Sequence, residues 1–425
     1  MQHHLPIAKL GPKGPSIAKA VEACVHCGFC LPTCPTYRVL GEEMDSPRGR
    51  IVLIKGMLEG EVDLEDGLPF IDRCLGCVSC ETACPSGVAY GALLTSFRAH
   101  AEERRQRPMG EKFARRLLLL TLTRPRILRL ATRLAVLGRR PLNRFVQPHL
   151  PPALGQALDL LPRALPKASP LPSHASPQGT PRARVALFPS CAPRALQPGI
   201  DEAALRVLVL NGVEVLIPQK PGCCGALALH AGEETMARSL SRAQLQAFPE
   251  DLDAILTTAA GCGSGLRETP SLWAGQAEEK AARRLAEKVE DISTFLGRLG
   301  LVPPPALDRP LPVVYHDACH LAHAQRERQA PRALLRSIEG LELREPKEWE
   351  LCCGSAGIYN LEQPEIARDL GERKVRNLLA TDPQMIVAAN IGCGVQIAHH
   401  LRRQGRDLPI LHPVEVLDRA YRREL

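Results

Sequence analysis

The chain has 425 residues, a formal net charge of +8, 24% charged and 4% aromatic residues, and 16 cysteines. That length suits about two to three domains with more than one core. So few aromatics exclude a base-stacking nucleic-acid binder, and thiols grouped as C-x2-C in a chain of this size point to metal or redox sites rather than secreted disulfides.

Met1 to Lys19 shows no apolar stretch of signal-peptide type, which fits a reducing, cytoplasmic setting. The run Cys24-Val-His-Cys27-Gly-Phe-Cys30-Leu-Pro-Thr-Cys34-Pro35 then spaces four thiols as C-x2-C-x2-C-x3-C-P, and the pattern returns at Cys74, Cys77, Cys80, Cys84 and Pro85. This is the bacterial two-cluster ferredoxin signature, in which the fourth cysteine of each run reaches the other cluster. It predicts one [4Fe–4S] centre on Cys24, Cys27, Cys30 and Cys84, and a second on Cys74, Cys77, Cys80 and Cys34. Paired zinc sites, the competing possibility, normally use two C-x2-C pairs without the extra thiol and proline. Between the runs, Ser46 and Pro47 mark a helix start. Arg48 and Arg50 follow, a poor fit to a helix dipole; they either face water or offset the negative charge of a reduced cluster.

From Arg98 to Arg144 the chain carries fourteen Lys/Arg against three Asp/Glu. Phe113–Leu122 and Ile127–Leu137 have helical patterning, and the arginines interrupting Leu117–Leu137 exclude a membrane span. A basic amphipathic helix suits an anionic membrane surface; packing on the ferredoxin part is the plainer expectation. Pro148 to Pro181 holds nine prolines and reads as an extended linker.

Eight cysteines remain. Cys191, Cys223-Cys224 and Cys262 recur as Cys319, Cys352-Cys353 and Cys393, at offsets of 128, 129 and 131 residues. Each follows a strand-like run: Val185–Phe188, Val213–Ile217 and Ala254–Thr257 in the first copy, Val313–Tyr315 and Met385–Ala389 in the second. Helical segments such as Asp201–Leu210 and Pro364–Leu379 alternate with them, which implies a parallel sheet in each copy, with cysteines at the carboxyl ends of the strands. Buried core cysteine is the bland reading of these eight residues. A duplicated Cys-Cys-Gly set favours a metal site or a redox-active thiol pair. His316, His320, His323 and His230 stand nearby as candidate ligands or proton carriers, although a hydrogen-bonded structural histidine is the commoner case. The expected fold is therefore α+β and α/β, a mainly helical two-cluster ferredoxin domain followed by two duplicated α/β domains. The divisions fall at 1–98 (ferredoxin), 99–147 (basic helical segment), 148–181 (linker), 182–305 (first Cys-Cys-Gly domain) and 306–425 (second).

Taken in order from Cys24 to Val416, these strings resemble the iron–sulfur subunits of bacterial glycolate oxidases. They include Asp45-Ser-Pro-Arg-Gly-Arg-Ile51, Gly222-Cys-Cys-Gly-Ala226, His320-Leu-Ala-His-Ala-Gln325, Leu351-Cys-Cys-Gly-Ser-Ala-Gly357 and Ala389-Asn-Ile-Gly-Cys393. The resemblance implies a non-flavin subunit of a glycolate dehydrogenase. A FAD-containing partner would oxidise the 2-hydroxy acid, and this chain would carry electrons to a quinone or other acceptor, in the cytoplasm or peripherally on the inner membrane. No flavin-binding loop is visible in the sequence, and no catalytic residue is assigned. Iron–sulfur subunits of L-lactate or glycerol 3-phosphate dehydrogenases share much of the pattern. Heterodisulfide reductases share it too, but those with unusual clusters close each motif with Cys-x-x-Cys, where this chain has Gly265 and Gln396. Thiol–disulfide chemistry is thereby weakened, and a further iron–sulfur cluster, zinc or a metal-free thiol pair stays open for the second half.

Overall fold

Residues 4–145, 152–162, 164–219 and 222–425 are described by a computed structural model. In the N-terminal part, Ser46 caps the helix Pro47–Glu59 as expected, its hydroxyl accepting from the Gly49 amide at 3.0 Å, and the helix stops at Gly60 in a left-handed conformation. The proline after Cys34 opens the helix Pro35–Leu40, with Cys34 itself at the N-cap. Ile17, Val21, Ile51, Ile54, Leu68, Ile71, Leu93 and Phe97 close a core over which Cys74 and Cys80 are packed.

The basic segment forms the helices Met109–Leu122 and Pro125–Phe145. Its arginines reach across to the second half of the chain: Arg115 donates to the Ala231 carbonyl at 2.8 Å and Arg129 to the Arg194 carbonyl at 3.1 Å. The pair therefore bridges the two halves rather than resting on the ferredoxin part alone. No helix among the described residues is long and apolar enough to cross a membrane.

The stretch expected to be an extended linker is partly regular. Residues 146–151 and 163 lie outside the described residues. Pro152–Leu160 is a helix, and His174–Ala175 (β1) pairs antiparallel with a strand of the following domain. Proline at a helix start and on an edge strand sacrifices no needed N–H, so its abundance here does not enforce an extended chain.

The two sheets carry the duplication. β2 (Ala183–Phe188), β3 (Val213–Leu216), β4 (Ala254–Thr257) and β5 (Val289–Asp291) lie in the order β1-β3-β2-β4-β5. β6 (Leu311–His316), β7 (Leu341–Arg344), β8 (Met385–Ala388) and β9 (Ile410–Leu411) lie in the order β7-β6-β8-β9. Apart from β1, all pairings are parallel and the two orders correspond strand for strand. The order reverses direction between β2 and β4, and between β6 and β8, a crevice where open parallel sheets present their ligand sites. One apolar core spans both sheets, from Val185, Leu187 and Val215 to Val313, Tyr315 and Val387. Helix Gly199–Leu210 packs on helix Pro413–Tyr421, and helix Ile292–Leu299 on Gln329–Arg336. Each contact thus joins the helix that leads into the second strand of one repeat to the last helix of the other. A bidentate Arg206–Asp418 pair (2.9 and 2.7 Å) locks one of them.

Candidate metal and redox centres

All sixteen cysteines are free thiols. Cys24, Cys27, Cys30 and Cys84 line one small cavity, which Cys80 of the other set lines as well. Burial raises the Cys24 thiol pKa, and the neighbouring Cys84 and Cys27 raise it further. Burial likewise pushes Cys30 up to about 11. The second set is deeper. Cys34, Cys74, Cys77 and Cys80 are all buried, and burial raises Cys77 and Cys80 well above the ordinary thiol range, Cys74 and Cys34 adding to it in both. Crowded, desolvated thiols of this kind are a donor set that a bound cationic metal would deprotonate. Both sets therefore fit the clusters that the spacing implies.

The two arginines after Ser46 have separate fates. Arg48 bonds Glu43 at 2.8 Å at the surface and donates to the His26 carbonyl at 3.0 Å. Arg50 is fully buried, paired with Asp45 at 3.1 Å, with Nη1 3.9 Å from Cys34 Sγ. It is no solvated first turn: its charge is spent on a carboxylate and a sulfur. Three further groups at these sulfurs and carbonyls come from distant segments and carry no local signature. Tyr90 directs its hydroxyl at Cys74 Sγ (3.7 Å), Tyr359 donates to the Arg73 carbonyl (2.9 Å), and Arg98 donates to the carbonyls of Cys74 and His230 (2.6 and 3.2 Å).

In the second half each cysteine set forms a run of touching thiols near the carboxyl ends of the parallel strands. Cys191 donates to Cys223 at 3.8 Å, lowering the Cys223 pKa and raising its own; Cys224 follows, raised by its bonds to Cys223 and Cys262. The second run repeats this as Cys319, Cys352, Cys353 and Cys393, where hydrogen bonds lower Cys352 and Cys393 and raise Cys319 and Cys353. Gly225 and Gly354, both left-handed, turn the chain after each pair, and Gly225 offers its N–H to Cys223 Sγ at 3.5 Å. The two fifth-cysteine positions are closed to a thiol in different ways, one by crowding and one by an amide with partners of its own. A Cβ on Gly265 would stand 2.3 Å from Ala226 Cβ. Gln396 is committed to Asn360 (3.0 Å) and the Ala367 carbonyl (3.2 Å).

The histidines divide as well. His230 bonds Glu268 at 2.9 Å, and His323 bonds Thr82 at 2.9 Å while stacking on Trp349. Burial lowers His320 to about 4, so it stays neutral. Of the four, His316 is the one whose ring nitrogen stands within 4.8 Å of two cysteine sulfurs of the run, those of Cys353 and Cys393.

The ferredoxin part meets the second repeat where Leu75 and Cys77 pack on Leu351, Cys352, Tyr359 and Leu370. Burial raises the Cys77 thiol pKa, and the nearby Cys352 raises it further. Both thiol runs and Cys74 also line a largely apolar cavity of about 850 Å³, roofed by Leu118, Leu122 and Leu128 of the basic segment.

Residues 20–88 match the 4Fe-4S dicluster domain family, and residues 185–267 and 313–398 each match the cysteine-rich domain family. The chain is thereby an iron–sulfur protein with a duplicated cysteine-rich half. It is 37% identical to the glycolate oxidase iron-sulfur subunit of Escherichia coli over 411 residues, covering 95% of each chain. It is 36% identical to a probable glycolate oxidase iron-sulfur subunit of Bacillus subtilis, covering 90% of this chain and 89% of that one. Lactate utilization protein A of Shouchella clausii is 30% identical over 55% of this chain and 98% of its own length.

Proposed function

We infer the function from a membership: the chain belongs to the family of glycolate oxidase iron–sulfur subunits. It is an electron-transfer subunit of an oxidoreductase. We propose that a FAD-containing partner oxidises glycolate, or a related 2-hydroxy acid, and that this chain takes up the electrons and delivers them to a quinone or other acceptor. Likeness to a lactate utilization protein favours lactate as the second reading; the substrate is chosen on the partner in either case.

On this proposal Cys24, Cys27, Cys30 and Cys84 hold one [4Fe–4S] cluster, and Cys74, Cys77, Cys80 and Cys34 the other. When bound, such clusters supply one-electron redox steps. The protein's own part is to stabilise added negative charge, through Arg50 beside Cys34 and Tyr90 beside Cys74, and to keep water from the deeper set. The packing of Cys77 in one buried cluster with Cys352 is the observation that carries the reading, because it makes the buried set continuous with the second cysteine-rich repeat. Cys191, Cys223, Cys224, Cys262, Cys319, Cys352, Cys353 and Cys393 are accordingly proposed as the far end of the relay, with a further cluster, zinc or thiol chemistry. The divisions 1–98, 99–147, 148–181, 182–305 and 306–425 frame this division of labour.

A row of exposed apolar side chains on the basic helices (Phe113, Leu117, Leu130, Leu134, Leu137) stands among exposed Arg116, Arg126 and Arg133. That pattern supports peripheral seating on an anionic, cytoplasmic membrane face, close to a quinone pool. The test of the relay is Cys77→Ser in the complex with the flavoprotein. Acceptor reduction is expected to vanish along with the cluster, and full-rate reduction after demonstrated loss of that cluster overturns the route.

A further inference from the structure

The two repeats share their run of thiols but not what stands at its end. β2 and β6 are equivalent strands; β2 finishes in Phe188 and β6 in His316. His316 is 1% exposed, and neither Nδ1 nor Nε2 has a hydrogen-bond partner among the described residues. An unmet polar group in a protein interior costs about 1–3 kcal/mol, so a buried imidazole whose polar neighbours are cysteine sulfurs calls for a ligand shared with them. One lies within reach. A ring nitrogen of His316, Cys353 Sγ and Cys393 Sγ stand within 4.8 Å of one another, the one trio of His, Cys, Asp or Glu donors so close among the described residues. Ligands of a tetrahedral ion at about 2.0–2.3 Å are separated by roughly 3.3–3.8 Å, so a small inward adjustment closes the trio on a single ion. The equivalent trio in the first repeat, Phe188, Cys224 and Cys262, lacks the nitrogen donor.

We propose that the second repeat, and not the first, holds one mononuclear thiophilic ion, zinc by its donor set, on His316, Cys353 and Cys393. Two thiolates and an imidazole suit zinc over harder divalent ions. Asn390 steadies the site by donating to Cys393 Sγ at 3.4 Å. Three protein ligands leave the fourth position open, as in zinc sites that exchange a ligand. Cys353 and Cys393 line the 850 Å³ cavity and His316 does not, so the open position faces the cavity. The inference deepens the reading of the second repeat as a cofactor station. Its readout is metal content and coordination, so it stands or falls separately from the electron route.

The experiment uses the full chain. Wild type is expected to carry one zinc beyond its cluster iron, with an X-ray absorption edge showing nitrogen and sulfur ligands. His316→Phe, which copies the first repeat, should lose the zinc to a chelator at least about tenfold faster while cluster iron, sulfide and their EPR signals stay unchanged. His316→Cys should retain zinc in an all-sulfur shell. Wild type without zinc, or with zinc lacking a nitrogen ligand, overturns the proposal, and this needs no variant to fold. So does His316→Phe with unaltered zinc, and so does iron and sulfide lost together in that variant, which would mean a cluster in place of a single ion.

Discussion

The two cysteine sets of the ferredoxin part share one spacing and occupy opposite environments. Cys27 is exposed, its set-mates half-buried, and Val25 and Phe29 on the same loop are each 66% exposed. Cys34, Cys74, Cys77 and Cys80 are buried, with Arg50 and Tyr90 directed at their sulfurs and Cys352 beyond. On the proposed ligand sets, spacing decides which thiols share a centre, and the helices packed around it decide whether that centre meets a partner or the rest of its own chain. On the proposed route electrons enter at the exposed set and leave through the buried one.

Arg50→Met is the harshest test of this contrast. It leaves buried Asp45 with Arg73 alone, at 2.8 Å, and should destabilise the fold by about 2–3 kcal/mol, read as a shifted denaturant midpoint. Arg48→Met breaks a surface pair with Glu43 and should cost no more than about 1 kcal/mol. Equal losses would erase the distinction between the two sites. A milder cut acts on the exposed side. If the Cys24–Cys30 loop receives the flavoprotein, Val25→Asp with Phe29→Asp should slow reduction by that partner about tenfold, the loss of over 1 kcal/mol at an interface centre. The EPR signals should be unaltered, and an undiminished rate places docking elsewhere. The smallest effect belongs to Tyr90→Phe. A hydroxyl donating to Cys74 favours the more negative, reduced state, so its removal should lower one potential. A hydrogen bond worth about 1 kcal/mol corresponds to about 40 mV in a one-electron couple. Potentiometric titration should find the other potential unmoved.

Much of this was legible in the sequence because cysteine spacing is local chemistry. The Ser46-Pro47 helix start, the core strands Ala183–Phe188, Ala254–Thr257 and Met385–Ala388, and the duplicated parallel sheets all follow from short-range pattern. The edge strands did not show. Val289–Asp291 and Ile410–Leu411 are too short for a period, and Leu341–Arg344 is half polar. Burial of Arg50 was likewise hidden, since nothing near it in sequence announces that Phe70, Asp45 and Cys34 surround its guanidinium. The meeting of Cys77 with Cys352, and the difference between unpartnered His316 and bonded His323, depend on packing between distant segments, which no local pattern encodes.

The crosswise helix contacts between the repeats have a consequence for how they could diverge. Such a joint, in which each half offers the other the same two surfaces, is that of a two-fold homodimer. In a true homodimer every substitution appears twice, so phenylalanine and histidine could never occupy equivalent positions in one assembly. With both copies encoded in one chain that constraint is lifted: Phe188 and His316 sit at matched strand ends around a common core, and one copy is free to specialise while the other remains its scaffold.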